Sequence, residues 1–409
     1  MMKQNQRKKE SIILFSGRLA AAGGAERLLL EEAVYFKKSG LDVSVLTFKF
    51  NEQVLFSNTY PEIIEQVGST TARTTLLKSL QLFSNVISLR SRICTIDPDV
   101  ILASSVADCA ILFLATLISK RRWATHVHGT PLWLPEWTKF ALIYKKAFNT
   151  IRDSVIGHKE FIPSEPPQLD PIKRVLNEVF ALIEYLGVRK STVIFVLSNQ
   201  MKWEVQLLYK KDAIVLKGAY PNKLLDYEPK TDIKKQLHLE GRMILNINRL
   251  DPRKRVDVLM RSFKLICGKH ADVTLVIGGT GPDAEKLHNL AAELGIQARV
   301  KFVGFIEEAH LWDWLASCDV FVHPNWAEFA IAAFEPLALQ KKVVWSTEMD
   351  MDDILSKNPH IFVANPTVDG FASAIELALE SDVGGAYDMS AYTWEVYCEK
   401  IQHYLGLSS

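Results

Sequence analysis

Between an apolar run and an amphipathic stretch, Asn248-Arg249-Leu250-Asp251-Pro252-Arg253-Lys254-Arg255 gathers four cationic side chains around one acid. In an open parallel sheet, ligands bind beyond the carboxyl ends of the strands. Arg249 and Lys254 placed there could clamp a diphosphate, the arginine as a planar fork and the lysine as a mobile point charge. A solvated basic loop fits the same spacing.

Gly23-Gly24, followed by Ala25-Glu26, is a second candidate. Two residues without a Cβ let backbone N–H groups approach a ligand, and a helix start adds partial positive charge. A plain turn, with Glu26 complementing the helix dipole, fits as well. A third is His323-Pro-Asn-Trp-Ala-Glu328-Phe329-Ala330-Ile331-Ala-Ala-Phe334-Glu335-Pro336. A carboxylate near a helix start can accept two hydrogen bonds from a vicinal diol such as a ribose, and Glu328 and Glu335 flank the predicted start. Glu335 sits in an apolar segment, which favours a buried and therefore partnered carboxylate. His128, in Thr125-His126-Val127-His128-Gly129, ends a predicted strand and could touch a sugar or phosphate. A structural histidine fits that position too, and His126 reads as core.

These residues need elements to hold them. Short apolar runs alternate with helical segments. Strands are predicted at Ser11–Gly17, Val43–Phe48, Val100–Ala103, Trp123–Val127 and Val193–Leu197, with a helix over Ala25–Ser39. The second half alternates more cleanly: strands at Met243–Ile247, Val273–Ile277, Val300–Val303, Val320–His323 and Val343–Ser346, and helices at Val256–Cys267, Pro282–Leu294, Leu311–Ser317 and Ile331–Leu339. Repeated β-α-β units imply parallel sheets with right-handed crossovers. Gly218, Pro221 and Pro229 break the pattern between Lys217 and Thr231, which places a domain boundary there. Ser164–Pro171 is a further Pro-rich loop, and Ser390–Leu405 reads as a final helix.

At 409 residues the chain has room for two or three domains, and 48% apolar with 23% charged residues excludes a disordered class. The five cysteines form no CxxC pair and read as buried small hydrophobes in a reducing compartment. Five apolar or small residues after the basic start are too few for a secretory signal. Val100–Ser119 contains Asp108, and its unbroken apolar run is too short for a bilayer span. The net charge of +1 conceals an asymmetry: residues 1–220 hold 29 Lys and Arg against 20 Asp and Glu, and residues 221–409 hold 19 against 27. A basic first half fits a polyanion, an anionic membrane surface or merely a solvated face. Lys139–Arg152 interleaves apolar and basic residues at near-helical spacing, the pattern of a helix lying in a membrane interface or packed on its own domain.

Taken together these segments resemble the family-4 retaining glycosyltransferases, over nearly the whole chain. Gly23-Gly24-Ala25-Glu26-Arg27 is similar to that family's N-terminal glycine loop, and Arg249 through Phe263 to its pyrophosphate-binding segment. Gly278-Gly279-Thr280-Gly281-Pro282 and Lys301-Phe302-Val303-Gly304-Phe305 look like two consecutive βα units, and Thr393-Trp394-Glu395 like the start of its last helix. The departure lies in the family's two-glutamate motif. Aligned on Phe329, Ile331 and Glu335, the first glutamate falls on Ala327, with Glu328 displaced by one residue. Ala330 replaces a glycine, and Gln340 and Lys342 replace a glycine and a proline.

The resemblance implies an α/β GT-B fold: two Rossmann-like domains with parallel sheets facing a cleft. Residues 1–220 would be the acceptor side, 221–389 the nucleotide-sugar side, and 390–409 a helix crossing back. It implies transfer of a hexose, with Phe329-x-Ile331-Ala leaning toward mannose, from a nucleoside-diphosphate sugar to a glycan or lipid-linked hydroxyl. Arg249, Lys254, His128 and Glu328 would serve the chemistry, and Gly23, Gly24, Phe329, Ile331 and Glu335 would join Arg249 and Lys254 in donor binding. No obligatory cofactor, no metal and no nucleic acid are expected. The expected location is the cytoplasm, with peripheral contact to an anionic membrane. A catalytically silent nucleotide-binding protein or another GT-B enzyme, such as a sugar-nucleotide epimerase, are the alternatives.

Overall fold

A computed structural model of the chain describes residues 9–20, 24–52, 60–71, 75–119, 121–130, 140–154, 170–325 and 329–408. They form two compact units. One runs to Gly218 and resumes at Trp394; the other is Ala219–Thr393.

The N-terminal unit is a parallel sheet of β1 (Ser11–Ser16), β2 (Asp42–Thr47), β3 (Ile64–Gln66), β4 (Val100–Ala103), β5 (Trp123–Val127), β6 (Ile194–Val196) and β7 (Ile214–Val215), ordered β3-β2-β1-β4-β5-β6-β7. β1 and β4 are buried along their whole length, as continuous apolar runs between helical layers should be. The C-terminal unit repeats the plan with β8 (Arg242–Ile247), β9 (Val273–Gly278), β10 (Val300–Gly304), β11 (Val320–His323), β12 (Lys342–Ser346) and β13 (Ile361–Ala364), ordered β10-β9-β8-β11-β12-β13. In each sheet the first strand lies third from one edge and the winding reverses after the third strand. The reversal leaves a switch point between β1 and β4, and another between β8 and β11, where ligands of such folds sit.

Amphipathic helices cover the sheets. Val256–Cys267 buries Leu259, Met260, Phe263 and Ile266 against the core that also holds Phe371 and Ile375 of helix Val368–Glu380. Burying such side chains contributes about 1.5–3 kcal/mol each. Helix Trp394–Leu405 packs on helix Gly24–Lys38 within the N-terminal unit.

The strands predicted from apolar runs occur within one or two residues. β3, β7 and β13 were not predicted, nor were helices Thr75–Ile96, Pro171–Lys190, Asn199–Tyr209 and Val368–Glu380. Of the two readings of Lys139–Arg152, the helix packed on its own domain fits the structure. Lys139 lies outside the described residues, the helix spans Lys145–Ser154, and Tyr144, Phe148 and Ile151 are buried in their own unit. Cys109, Cys318 and Cys398 are buried as expected, but Cys94 is exposed. Among the described residues no helix is long and apolar enough to cross a membrane.

Candidate functional site

At the C-terminal switch point, β8 delivers Asn248-Arg249 and β11 delivers His323-Pro324-Asn325. The loop after β8 is stitched to the loop after β9. Asn248 N donates to Gly278 O (3.1 Å), Leu250 N to Thr280 O (2.9 Å) and Asp283 N to Leu250 O (3.1 Å). Glycine is required for this approach. A Cβ on Gly279, whose φ is +115°, would lie 1.8 Å from Asn248 O, and one on Gly281 would lie 2.2 Å from Leu250 O. Asp251 then caps the turn Pro252–Lys254, accepting from Arg253 N at 3.1 Å.

The four cations of this segment have different fates. Arg253 pairs with Asp251 at 3.4 Å. Arg255 is buried and paired with Glu348. Arg249 is exposed and enters no ion pair among the described residues. Lys254 is largely buried, and among the described residues no carboxylate lies within ion-pair distance of its ammonium. Burial depresses its pKa, opposed by the nearby Asp251 charge and assisted by Arg253. With the Asn325 amide turned to face its donors, which satisfies both of its ends, Lys254 Nζ donates to its oxygen (2.9 Å), His323 Nε2 donates to the same oxygen (3.1 Å), and its nitrogen donates to Lys254 O (3.3 Å). His323 is fully buried. Burial, then the Lys254 charge, pushes its pKa down to about 3, so the ring is neutral, and its Nδ1 has no hydrogen-bond partner. A largely buried ammonium with no carboxylate partner among the described residues, in a loop that also carries an exposed guanidinium, is a candidate anion site.

Helix Ile331–Ala338 follows. Its N-cap, Ala330, offers no side-chain hydrogen bond to the first turn. Phe329, Ala330 and Ile331 are half-buried against the core, with the Phe329 and Phe334 rings 4.9 Å apart. Glu335 lies inside the helix, as the predicted span Ile331–Leu339 has it, and is buried. Glu328 and Ala327 lie outside the described residues.

Arg249 and Lys254 thus share the loop after β8, and Phe329, Ile331 and Glu335 lie in the segment after β11. In the N-terminal unit, Gly24 opens helix Gly24–Lys38, and Gly23 lies outside the described residues. Glu26 is half-buried; burial raises its pKa, against its own backbone hydrogen bond and Arg18. His128 directly follows β5, with both ring nitrogens buried and without hydrogen-bond partners, its pKa pushed far down by burial and by His126. His126 is not inert core. Its Nδ1 lies 2.9 Å from Glu32 Oε1, and Tyr397 OH donates to the same oxygen at 2.8 Å. Burial raises Glu32 to about 7 and lowers His126 to about 3. The sequence reading found no metal-type cluster; the fold assembles Glu32, His126 and His128 into one. It also missed the Arg255–Glu348 pair and Asn325, for which no spacing signal exists. Only the His126-x-His128 repeat was visible.

Residues 229–393 match the family described as glycosyl transferases group 1. An uncharacterized glycosyltransferase of Methanocaldococcus jannaschii is 29% identical over 213 residues, covering 49% of this chain and 54% of that protein. The phosphatidylinositol N-acetylglucosaminyltransferase GPI3 subunit of Saccharomyces cerevisiae is 23% identical over 207 residues, 47% of this chain and 46% of that one. The chain thus spans about half the length of these relatives. The structure of Anabaena HepE in complex with UDP and glucose superposes with a TM-score of 0.66 at 17% identity, over 97% of this chain and 95% of HepE. That likeness shows the shared GT-B fold.

Proposed function

With residues 229–393 forming a glycosyl transferases group 1 domain, we propose that the chain transfers a hexose from a nucleoside-diphosphate sugar to a hydroxyl acceptor, with retention at the anomeric carbon. The observation that carries this reading is the largely buried Lys254 ammonium at the β8–β11 switch point, in the same loop as an exposed Arg249 that makes no ion pair among the described residues. Arg249 and Lys254 bind the donor diphosphate and stabilise the negative charge that grows on it as the glycosidic bond breaks. Glu335 accepts from the ribose hydroxyls, Phe329 and Ile331 flank the nucleotide, and the Gly23-Gly24 backbone meets the phosphates. Glu328 and His128 contact the donor sugar. The leaving diphosphate takes the proton of the incoming hydroxyl, so catalysis is positioning and electrostatics. No metal is needed for the transfer.

The UDP and glucose bound by HepE support a nucleotide-sugar donor, and the lipid acceptor in the GPI3 name supports a glycan or lipid-linked one. For peripheral contact with an anionic membrane at the cytoplasmic face, we propose helix Pro171–Lys190. There Ile172, Val175, Val179 and Leu182 are exposed on one face, with Lys173, Arg174, Arg189 and Lys190 on the same helix. Salt-sensitive co-sedimentation with phosphatidylserine liposomes, lost in Ile172→Ser/Val175→Ser/Val179→Ser, is expected.

Thermal-shift and calorimetric titration with UDP, GDP and ADP identify the base. A hydrolysis assay with a panel of nucleotide sugars, GDP-mannose included, then tests turnover. Tight diphosphate binding with no sugar release from any donor would favour the silent alternative that Ala330 and Ala327 suggest. An isomerised donor would indicate an epimerase.

A further inference from the structure

The N-terminal unit carries a second cluster of chemistry-bearing side chains with no part in diphosphate binding. His126 lies in β5 and His128 directly follows the strand's last residue, Val127, with the two imidazoles in contact. Helix Gly24–Lys38 brings Glu32 to them. Glu32 Oε1 is 2.9 Å from His126 Nδ1, and the two imidazole centroids are 4.0 Å apart. One ligand atom from each of the three residues lies within 4.8 Å of the others. Glu32 and His126 are buried, and neither ring nitrogen of His128 has a hydrogen-bond partner although both are shielded from solvent. An imidazole with two buried and unpartnered nitrogens is costly, and a hydrogen-bonded network alone does not account for it.

We propose that Glu32, His126 and His128 bind one divalent first-row transition ion, with zinc as the best fit. Two neutral imidazoles and one carboxylate suit zinc and its neighbours in the row. Magnesium and calcium prefer all-oxygen shells. A dication would use a nitrogen of His128 and compensate the buried Glu32 carboxylate. Tyr397, from the last helix, donates to Glu32 Oε1 at 2.8 Å and lies 3.0 Å from His126 Nε2. It acts as a positioning residue that orients the carboxylate, as outer hydrogen bonds do at metal sites. Because Glu32 and Tyr397 come from the first and last helices of the unit, the ion would tie the two ends of the chain to β5. The site shares His128 with the donor-sugar contact of the transferase reading, but its test needs no substrate, so failure of one leaves the other standing.

The test uses the full chain without a histidine tag, stripped of metal and titrated with Zn2+ by calorimetry and with Co2+ by visible absorption. The expected result is one ion per chain, d–d bands without a sulfur-to-cobalt charge-transfer band, and a raised melting temperature with Zn2+. Glu32→Gln, His126→Gln and His128→Gln should each abolish the cobalt spectrum, and Tyr397→Phe should keep it with affinity reduced about tenfold or more. If the ligand variants do not fold, the wild-type spectrum and the Tyr397→Phe affinity decide. His270, near Glu376 and Glu380, forms the other His/carboxylate group among the described residues, so His270→Gln is the control and should bind as wild type does. No binding by the wild-type chain, a thiolate charge-transfer band, unchanged affinity in Tyr397→Phe or in the ligand variants, or loss of binding in His270→Gln would each overturn the assignment.

Discussion

Arg255 grips Glu348 with both terminal guanidinium nitrogens, Nη1 to Oε2 at 2.5 Å and Nη2 to Oε1 at 3.1 Å, and both side chains are buried. The pair joins the loop after β8 to the loop after β12, and Ser346 Oγ donates to the same Oε2 at 2.8 Å. Arg255 holds a left-handed backbone, with φ at +49°. A non-glycine residue there is strained, so the ion pair and its packing must offset that cost. The pair also decides which neighbour is available to a ligand. Arg255 is neutralised internally, whereas Lys254 is not.

Removing either partner leaves a buried uncompensated charge. Arg255→Met and Glu348→Leu should each destabilise the chain by about 3–5 kcal/mol, and the double variant should cost less than the sum. Urea unfolding of the four proteins checks this. Additive losses would mean that the pair is not coupled.

Lys254→Met and Arg249→Ala should weaken UDP or GDP binding by roughly 1.5–3 kcal/mol each, about tenfold to more than a hundredfold. Binding of the nucleoside without phosphates should change little. Calorimetry on both ligands separates these outcomes, and equal losses for diphosphate and nucleoside would point to a disturbed fold instead.

The parallel sheets were legible because buried strands carry continuous apolar runs, and β1, β8 and β11 stand out as such. β7 has two residues and β3 three, too short for any periodicity. Helix Pro171–Lys190 exposes apolar side chains opposite its buried face, which obscures the one-sided pattern that marks a helix. At the site, Arg249 and Lys254 were legible because they are neighbours in sequence, in a strand-to-helix loop. Glu348 is 93 residues from Arg255, and Glu32 is 94 from His126, so only the fold reveals those partners. Glu335 was read as buried on the far side of the helix start from Glu328, and it is buried within the helix Ile331–Ala338, close to the predicted span Ile331–Leu339.

Gly281→Ala should act at the diphosphate site without touching a charge. Its Cβ would meet the Leu250 carbonyl at 2.2 Å, and backbone cannot swing aside as a side chain can. The loop bearing Arg249 must shift or the substitution is not tolerated, at a cost of at least roughly 2 kcal/mol. Gly268→Ala, where a Cβ meets nothing within 4 Å, should be neutral within about 0.5 kcal/mol. Unfolding curves and UDP or GDP titrations on both variants check the contrast. Wild-type behaviour of Gly281→Ala would refute the close approach of the two loops.

Asp108 sets a pH dependence in the N-terminal unit. It caps no ion pair: its carboxylate accepts from Gly17 N at 2.8 Å and from Ser105 Oγ at 2.7 Å, at the switch point between β1 and β4. Burial raises its pKa to about 6 from an ordinary 3.8, with the Ser105 and Gly17 hydrogen bonds opposing. The folded chain therefore holds this proton more tightly than the unfolded chain. The contribution to stability is complete below pH ~4 and is lost as pH rises through about 6. By linkage the loss amounts to roughly 3 kcal/mol. Asp108→Asn keeps an acceptor for Gly17 N and cannot ionise. Its stability relative to wild type should rise by that amount between pH 4 and pH 7, whatever other groups titrate in both proteins. Urea unfolding at half-unit pH steps measures the difference, and parallel curves for the two proteins would show that Asp108 is ionised in the fold without penalty.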